Sequence, residues 1–476
     1  MPSEILSVGI DIGTSTTQVI FSRLLVDNMA DYFSAPRISI VSKELLYKSE
    51  VHLTPLKTPD TLDGEGVRRI VEQEYRRAGI SPGDLHTGAV IITGESARKD
   101  NAAAVTEQLS GFAGEFVVST AGPDLESIIA AKGSGAFQYS IDRECSVINL
   151  DIGGGTTNIA MFDCGRAVAK GCLDIGGRLI RLNQDLTVTY LSPSAQCIAD
   201  SLGLTIREGQ KTTLNALRAV TVKMADLLAQ AMGLQDREPL FESVRTPSST
   251  DLSLSKRADY LCFSGGVADC IYTPDDDILR YGDIGVLLGA SIRSHPLISA
   301  CRQLPAGETI RATVVGAGTY TTSISGSTIA YSSLLFPLKN IPVLKLDEQE
   351  QEHCINGDRE WLTQKARWFM DQSDTDHFIL AMQGKADPDY TEIKKLAGCI
   401  ADALGTILPD TKPILVVLEH DMAKALGFAL RACVDGRRKV AAIDGIAVEA
   451  NDFVDIGRPL MDGLVVPVIV KTLVFG

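Results

Sequence analysis

The chain carries one short pattern twice, and this repeat constrains its fold more tightly than any bulk property does. Val8-Gly9-Ile10-Asp11-Ile12-Gly13-Thr14-Ser15-Thr16-Thr17-Gln18-Val19 is an apolar run that ends on a carboxylate, turns through glycine and hydroxyl residues, and enters a second apolar run. Val147-Ile148-Asn149-Leu150-Asp151-Ile152-Gly153-Gly154-Gly155-Thr156-Thr157-Asn158-Ile159 repeats it. Each reads as strand, turn, strand. Glycines let the backbone approach a ligand without a Cβ clash, so successive amide N–H groups can face phosphate oxygens; Thr156 and Thr157 add hydroxyls. A carboxylate at the mouth of such a turn cannot pair with a phosphate directly, so Asp151 needs a cation such as Mg²⁺, held through water. One such turn is explained equally well by a glycine-rich hairpin without a ligand. Two of them point to a duplicated domain whose hairpins clamp one phosphate chain from opposite sides.

At 476 residues the chain has room for more than one domain, and its 45% hydrophobic content is ample for buried cores. A net charge of −15 argues against nucleic acid or an anionic membrane as partner, because both need basic patches. The ten cysteines form no Cys-x-x-Cys pair and mostly sit in apolar surroundings, as reduced core residues of a cytosolic protein would. His353-Cys354 is the only adjacent pair with zinc-ligand chemistry, and no second pair accompanies it. The N-terminus lacks a signal-peptide pattern, and no window reaches the ~18 apolar residues of a membrane helix, so a cytoplasmic protein is expected.

Helical spacing of Val67, Ile70, Val71 and Tyr75 predicts a helix over 64–78, and short apolar runs predict strands at 89–97 and 116–119. Residues 122–136 form a helix dense in small residues, suited to close crossing between two lobes, with Glu126 near its start as the acid expected to reach the metal or the attacking water. A long amphipathic helix follows at 212–232, then the apolar run 260–264 enters the Ser264-Gly265-Gly266 turn, whose bare backbone could floor a planar nucleoside. Residues 283–292 read as a second small-residue helix, the counterpart of the first, and 309–315 as a strand. The acidic stretch 346–360 marks a boundary, beyond which helix and strand alternate. Three domains are therefore expected: a first lobe over 1–140, a second over 141–345 and a C-terminal α/β domain over 346–476.

Together, the two Asp-Ile-Gly turns, the two small-residue helices and the Ser264-Gly265-Gly266 turn resemble the five-motif pattern of the actin and heat-shock chaperone ATPase superfamily. Several stretches are more specifically similar to the reactivating factors of ethanolamine ammonia-lyase: 6–14, 91–97, 120–127, 424–427, 455–460 and 465–471. This likeness spans nearly the whole chain and includes the C-terminal domain that general superfamily members lack. It implies an α/β fold of duplicated actin-like ATPase (ribonuclease H-like) lobes with an appended C-terminal α/β domain. It further implies ATP/ADP and Mg²⁺ between the lobes, with Asp11 and Asp151 as the magnesium carboxylates and Asp11, Asp151 and Glu126 as the catalytic acids. Gly13, Thr14, Thr16, Thr17, Gly153, Gly154, Gly155, Thr156 and Thr157 would bind phosphate, and Ser264, Gly265 and Gly266 the nucleoside. Heat-shock chaperones place a phosphate-binding lysine in their first lobe, for which Lys99 is the candidate here.

The resemblance also implies a task. The lyase uses adenosylcobalamin, and loss of the adenosyl group leaves a damaged cobalamin stuck in the enzyme; reactivating factors are chaperones that use ATP to let intact cofactor replace it. The expected partners are the lyase, ATP and further copies of the chain. The expected location is the cytoplasm, in association with the ethanolamine-utilisation bacterial microcompartment. Two other readings of the same lobes are a small-molecule kinase, with Glu95 or Glu126 as general base, and a nucleotide-dependent filament or scaffold protein.

Overall fold

Three sheets organise the chain. The computed structural model describes residues 3–14, 16–28, 38–58, 61–93, 96, 99–109, 112, 123–247, 249, 252, 254, 256–320, 322–326, 329–373, 375–434, 436, 438–450, 452–460 and 463–472. In it the main path of the five-stranded first sheet is β1 (Ser3–Ile12), β2 (Thr16–Asn28), β3 (Ile38–Lys48) and β4 (Thr87–Ile92), in the order β3-β2-β1-β4, and the short strand His52–Leu53 pairs with the start of β2. β1, β2 and β3 are antiparallel neighbours, and β4 runs parallel to β1. The crossover to β4 carries α1 (Gly64–Ala78), as its periodicity predicts: Val67, Val71 and Tyr75 pack on the sheet, and Gly79 closes the helix at φ 69°. α2 (Ala102–Leu109) lies on the same face, and α3 (Pro123–Gly133) leads out of the lobe.

The second sheet repeats this topology with β5 (Ser146–Ile152), β6 (Thr157–Asp163), β7 (Arg166–Leu173), β8 (Tyr260–Ser264) and β9 (Gln303–Leu304), ordered β7-β6-β5-β8-β9. β8 and β9 are the parallel strands. Between β7 and β8 runs α4 (Leu214–Ala231), whose N-terminal amide at Ala216 is capped by the Thr213 hydroxyl and whose Leu217, Val220, Met224, Leu227 and Leu228 are buried. α5 (Gly266–Tyr272) and α6 (Gly285–Ser294) complete the outer layer, and α7 (Ala312–Tyr320) leads out.

Each exit helix docks under the opposite sheet: α3 packs on β5, β6 and β7, while α7 packs on β1, β2 and β4, and the two helices cross one another. Glycine makes this approach possible. A Cβ on Gly133 would fall 1.8 Å from the Ala312 carbonyl oxygen, one on Gly316 2.0 Å from that of Ile129, and one on Gly9 2.6 Å from that of Val314. Two expectations are corrected here. Residues 309–315 do not form a strand, because the chain enters α7 at Ala312, and the counterpart of α3 at the lobe crossing is α7, not the helix at 283–292. That helix, α6, packs instead on α4 and α5 at the outside of the second lobe.

The third sheet takes β10 (Thr322–Ile324), β11 (Ala330–Tyr331), β12 (Leu338–Lys345), β13 (Ile379–Met382), β14 (Ile414–Leu418), β15 (Val440–Ile443), β16 (Asp452–Ile456) and β17 (Pro467–Thr472), in the order β10-β17-β16-β12-β13-β14-β15-β11. β12 to β15 are parallel and the flanking strands antiparallel. α8 (Glu348–Ile355), α9 (Arg359–Ser373), α10 (Tyr390–Ile407) and α11 (Ala423–Cys433) cover one face. The boundary expected at 346 therefore moves to the end of α7, since β10, β11 and β12 already belong to this sheet. The acidic stretch is instead a helix start: Asp347 caps α8, and Glu350 returns the bond to the Asp347 amide.

This C-terminal domain is fastened to the first lobe. Ile469 of β17 is buried with Ala89, Ile91, Ile129 and Ala317, and Val465 with Ile5, Leu24 and Val26. The architecture is an α/β fold of two lobes with repeated sheet topology and an appended α/β domain. Among the described residues no disulfide is formed, and no helix is long and apolar enough to cross a membrane. The strand expected at 116–119 and the side chain of Glu95 lie outside the described residues.

Candidate functional site

The two repeated turns face one another across the cleft between the lobes. Both are closed by the same bond: the Gly13 N–H donates to the Thr16 carbonyl at 2.8 Å, and the Gly153 N–H to the Thr156 carbonyl at 2.9 Å. The register matches too, with Asp11 opposite Gln18 and Asp151 opposite Asn158. The first turn is pinned from behind by Thr54 and Ser96, whose hydroxyls donate to the Gly13 carbonyl. The second is pinned by the amides of Gly177 and Arg178, which donate to the carbonyls of Gly153 and Gly154.

Asp11 and Asp151 end the central strands of the two sheets and are both buried. In each lobe the adjacent parallel strand supplies a hydroxyl to the carboxylate: Thr93, just past β4, donates to Asp11 Oδ1 at 3.1 Å, and Ser264, at the end of β8, donates to Asp151 Oδ1 at 2.6 Å. Thr313 of α7 also reaches Asp151, at 3.3 Å. Ser264 is in turn oriented by Asn149, and Asn149 by Ser134 of the loop after α3. Burial pushes the Asp11 carboxyl up to about 7, against the Thr93 hydrogen bond and with a further rise from the facing Asp151. Burial pushes Asp151 up to about 6, offset in part by the Ser264 and Thr313 hydroxyls. A pair of carboxylates held this way favours a cation, which would restore their ionised state.

The cleft holds a cavity of about 510 Å³, within the range of small-molecule sites. Its lining includes Asp11, Gly13, Thr14, Thr16, Glu126, Asp151, Gly153, Gly154, Gly155, Thr156, Gly265 and Gly266, so most of the residues expected from the sequence converge. Gly265 has no alternative: its φ is 84°, and a Cβ there would lie 2.4 Å from the Ile152 carbonyl. Four expected residues do not line the cavity. Thr17 is fully buried with its hydroxyl beside that of Thr54, and Thr157 is fully buried with its hydroxyl donating to the Ile175 carbonyl at 2.7 Å. Ser264, also fully buried, acts on Asp151 and not on a nucleoside. Lys99 lines a neighbouring cavity.

Sequence reasoning missed Gln18, Thr93, Arg178, Asp283 and Thr313, all of which line the cleft. Gln18 donates to the Ile310 carbonyl at 3.1 Å, and its buried Oε1 has no hydrogen-bond partner among the described residues. A water on a cation between the two carboxylates would supply that donor. Among the described residues no cluster of three His, Cys, Asp or Glu side chains could ligate a metal. Two carboxylates with water and phosphate oxygens therefore suit Mg²⁺ better than zinc. When bound, Mg²⁺ supplies positive charge against the carboxylates and the phosphates.

These shifts carry a pH prediction for the metal-free protein. Both carboxyls are raised above their ordinary 3.8, so the folded protein holds protons the unfolded chain has lost, and stability falls as pH rises from about 4 through about 7. Thermal unfolding should show a melting temperature several degrees lower at pH 8 than at pH 5, with Mg²⁺ and nucleotide removing most of the difference. A melting temperature that rises over this window would contradict the shifts.

A family model described as ethanolamine utilisation protein EutA matches residues 3–476. The ethanolamine ammonia-lyase reactivase EutA of Salmonella typhimurium is 37% identical over 473 residues, 99% of either chain, and the one of Escherichia coli is 37% identical over 474 residues. Among solved structures, a PPX-GPPA enzyme of Aquifex aeolicus aligns with 66% of this chain and 99% of its own at 13% identity and a TM-score of 0.41. The ethanolamine utilisation protein EutJ of Carboxydothermus hydrogenoformans aligns with 67% of this chain and 90% of its own at 16% identity and a TM-score of 0.33. With a family model over its whole described length and relatives matching end to end, the chain belongs to the EutA family of ethanolamine utilisation proteins.

Proposed function

We propose that the chain is an ethanolamine ammonia-lyase reactivase: an ATP-driven chaperone that opens the lyase so that damaged cobalamin leaves and intact adenosylcobalamin enters. The observation that carries the nucleotide part is the pair of buried carboxylates, Asp11 and Asp151, on two identically closed turns facing one cavity. The end-to-end likeness to named reactivases supports the client.

In this reading ATP lies with its phosphates between the turns, the amides and hydroxyls of Gly13, Thr14, Thr16 and Gly153 to Thr156 holding the oxygens and Gly265 and Gly266 flooring the nucleoside. Asp11 and Asp151 hold Mg²⁺ through water. Glu126, in the first turn of α3 and lining the same cavity, orients the attacking water. The nucleotide draws the lobes together by bridging them. Because the C-terminal domain packs on the first lobe through Ile469 and Val465, closure carries it relative to the second lobe. A client gripped by both then feels the nucleotide state. No observation favours the kinase or filament readings.

The test is a rescue assay. Lyase inactivated with hydroxocobalamin is mixed with this protein, fresh adenosylcobalamin, Mg²⁺ and ATP, and ammonia release is followed. Activity should return with ATP and not without it. Recovery that is equal without nucleotide, or none at all from a protein that binds ATP, would contradict the proposal.

A further inference from the structure

A second and larger cavity, of about 1020 Å³, adjoins the nucleotide cavity and shares Thr14 and Gly155 with it. Those two residues are the tips of the opposing phosphate turns, so the cavities meet where the end of a phosphate chain would lie. The first lobe contributes Lys57 and Lys99 to its wall, and the second lobe Arg181 and Tyr190. In a chain of net charge −15, three cations around one opening run against the overall balance. Two carboxylates, Asp100 and Asp174, share the wall; Asp174 already accepts the Thr246 hydroxyl at 2.6 Å.

The arginine side has charge to spare. The Asp283 carboxylate is faced by both Arg178, whose Nε lies 3.4 Å from it, and Arg181, and the two guanidiniums repel one another. One carboxylate therefore serves two cations. The Arg181 guanidinium lies over the Tyr190 ring, 5.3 Å from its centroid, which fixes the plane of the group. Its buried Nε has no hydrogen-bond partner among the described residues. A planar, oriented guanidinium with one donor unmet, across a gap from lysines on the other lobe, is suited to a multi-oxygen anion.

We propose that this outer cavity is a second anion site, which takes a phosphate-class oxyanion against Lys57 and Arg181 beside the tips of the phosphate turns. It rests on the reading of the neighbouring cavity as the nucleotide site. The anion is orthophosphate released from the nucleotide or taken from solution. Held between a lysine of one lobe and an arginine of the other, it bridges the lobes after hydrolysis and delays their opening.

The test is calorimetric titration of orthophosphate into the full-length protein saturated with ADP and Mg²⁺, and into the nucleotide-free protein. Phosphate should bind in both. Lys57→Ala, at an exposed position, and Arg181→Ala should each weaken it at least about fivefold, with ADP affinity held within about twofold. During turnover a phosphate sensor should report a lag in free phosphate for the wild type that Arg181→Ala abolishes, if the nucleotide is the source; binding without a lag identifies solution phosphate. Phosphate that fails to bind, binds both variants as it does the wild type, or is displaced competitively by ADP overturns the proposal. A protein that binds phosphate in this way but no nucleotide keeps the anion site and removes the nucleotide reading instead.

Discussion

Asp151→Asn should make the metal-free protein more stable at pH 8 and slow the proposed ATP hydrolysis at least about 100-fold. The two effects have one cause. Asp151 is buried, its carboxyl pushed up to about 6, so at pH 8 its charge opposes folding. The amide keeps the shape and an oxygen to accept the Ser264 hydroxyl, but carries no charge to unfavourable surroundings. The same loss removes half of the carboxylate pair that would hold Mg²⁺ opposite the phosphates. Loss of one charge-stabilising group in a closed site costs about 10²–10³ in rate. Hydrolysis and thermal unfolding measured on one preparation check both. A variant that hydrolyses ATP as the wild type does would remove Asp151 from the metal site, and one that is inactive because it is unfolded would contradict the stability half.

Gly316→Ala should destabilise the protein by about 3 kcal/mol, and Gly398→Ala should stabilise it by roughly 0.5–1 kcal/mol. Both glycines lie inside helices, where alanine is intrinsically the better residue. At Gly398, in α10, an added Cβ meets nothing within 4 Å, so helix propensity decides. At Gly316 it would fall 2.0 Å from the Ile129 backbone oxygen, and α3 and α7 would have to separate. Backbone atoms cannot rotate out of the way as a side chain can, so the clash outweighs the propensity gain. The variant should also blunt the effect of nucleotide on lobe closure, because the crossing of these helices joins the lobes. Denaturant unfolding of the two variants gives the signs; equal shifts would mean that the helices do not cross as closely as described.

Much of the two-lobed framework was legible because its signals are local. The Asp11 and Asp151 turns, the bounds of α1 and the Gly265 turn each follow from glycine, carboxylate or apolar spacing within a dozen residues. The helix α7 was not legible, since Val314 and Val315 favour a strand and only the glycine contact with α3, far away in the chain, selects the helix. The domain boundary was misread because an acidic stretch serves equally as a linker and as the capped start of α8. The failure of Thr157 could have been foreseen: adjacent strand residues face opposite ways, so Thr156 and Thr157 could not both reach the cleft. Thr93, Arg178, Asp283 and Thr313 come to the site from four other segments, and no pattern around any of them announces it.

The central claim is that nucleotide state changes the grip on the lyase, since a chaperone whose states bind a client equally well can drive nothing. The most direct measurement is the affinity of this protein for lyase loaded with hydroxocobalamin, taken without nucleotide, with ADP and Mg²⁺, and with a non-hydrolysable ATP analogue and Mg²⁺. The account predicts that affinity with the analogue differs at least about tenfold from that with ADP, with Asp151→Asn losing the difference. Equal affinity in all three states, from a protein shown to bind both nucleotides, would contradict it.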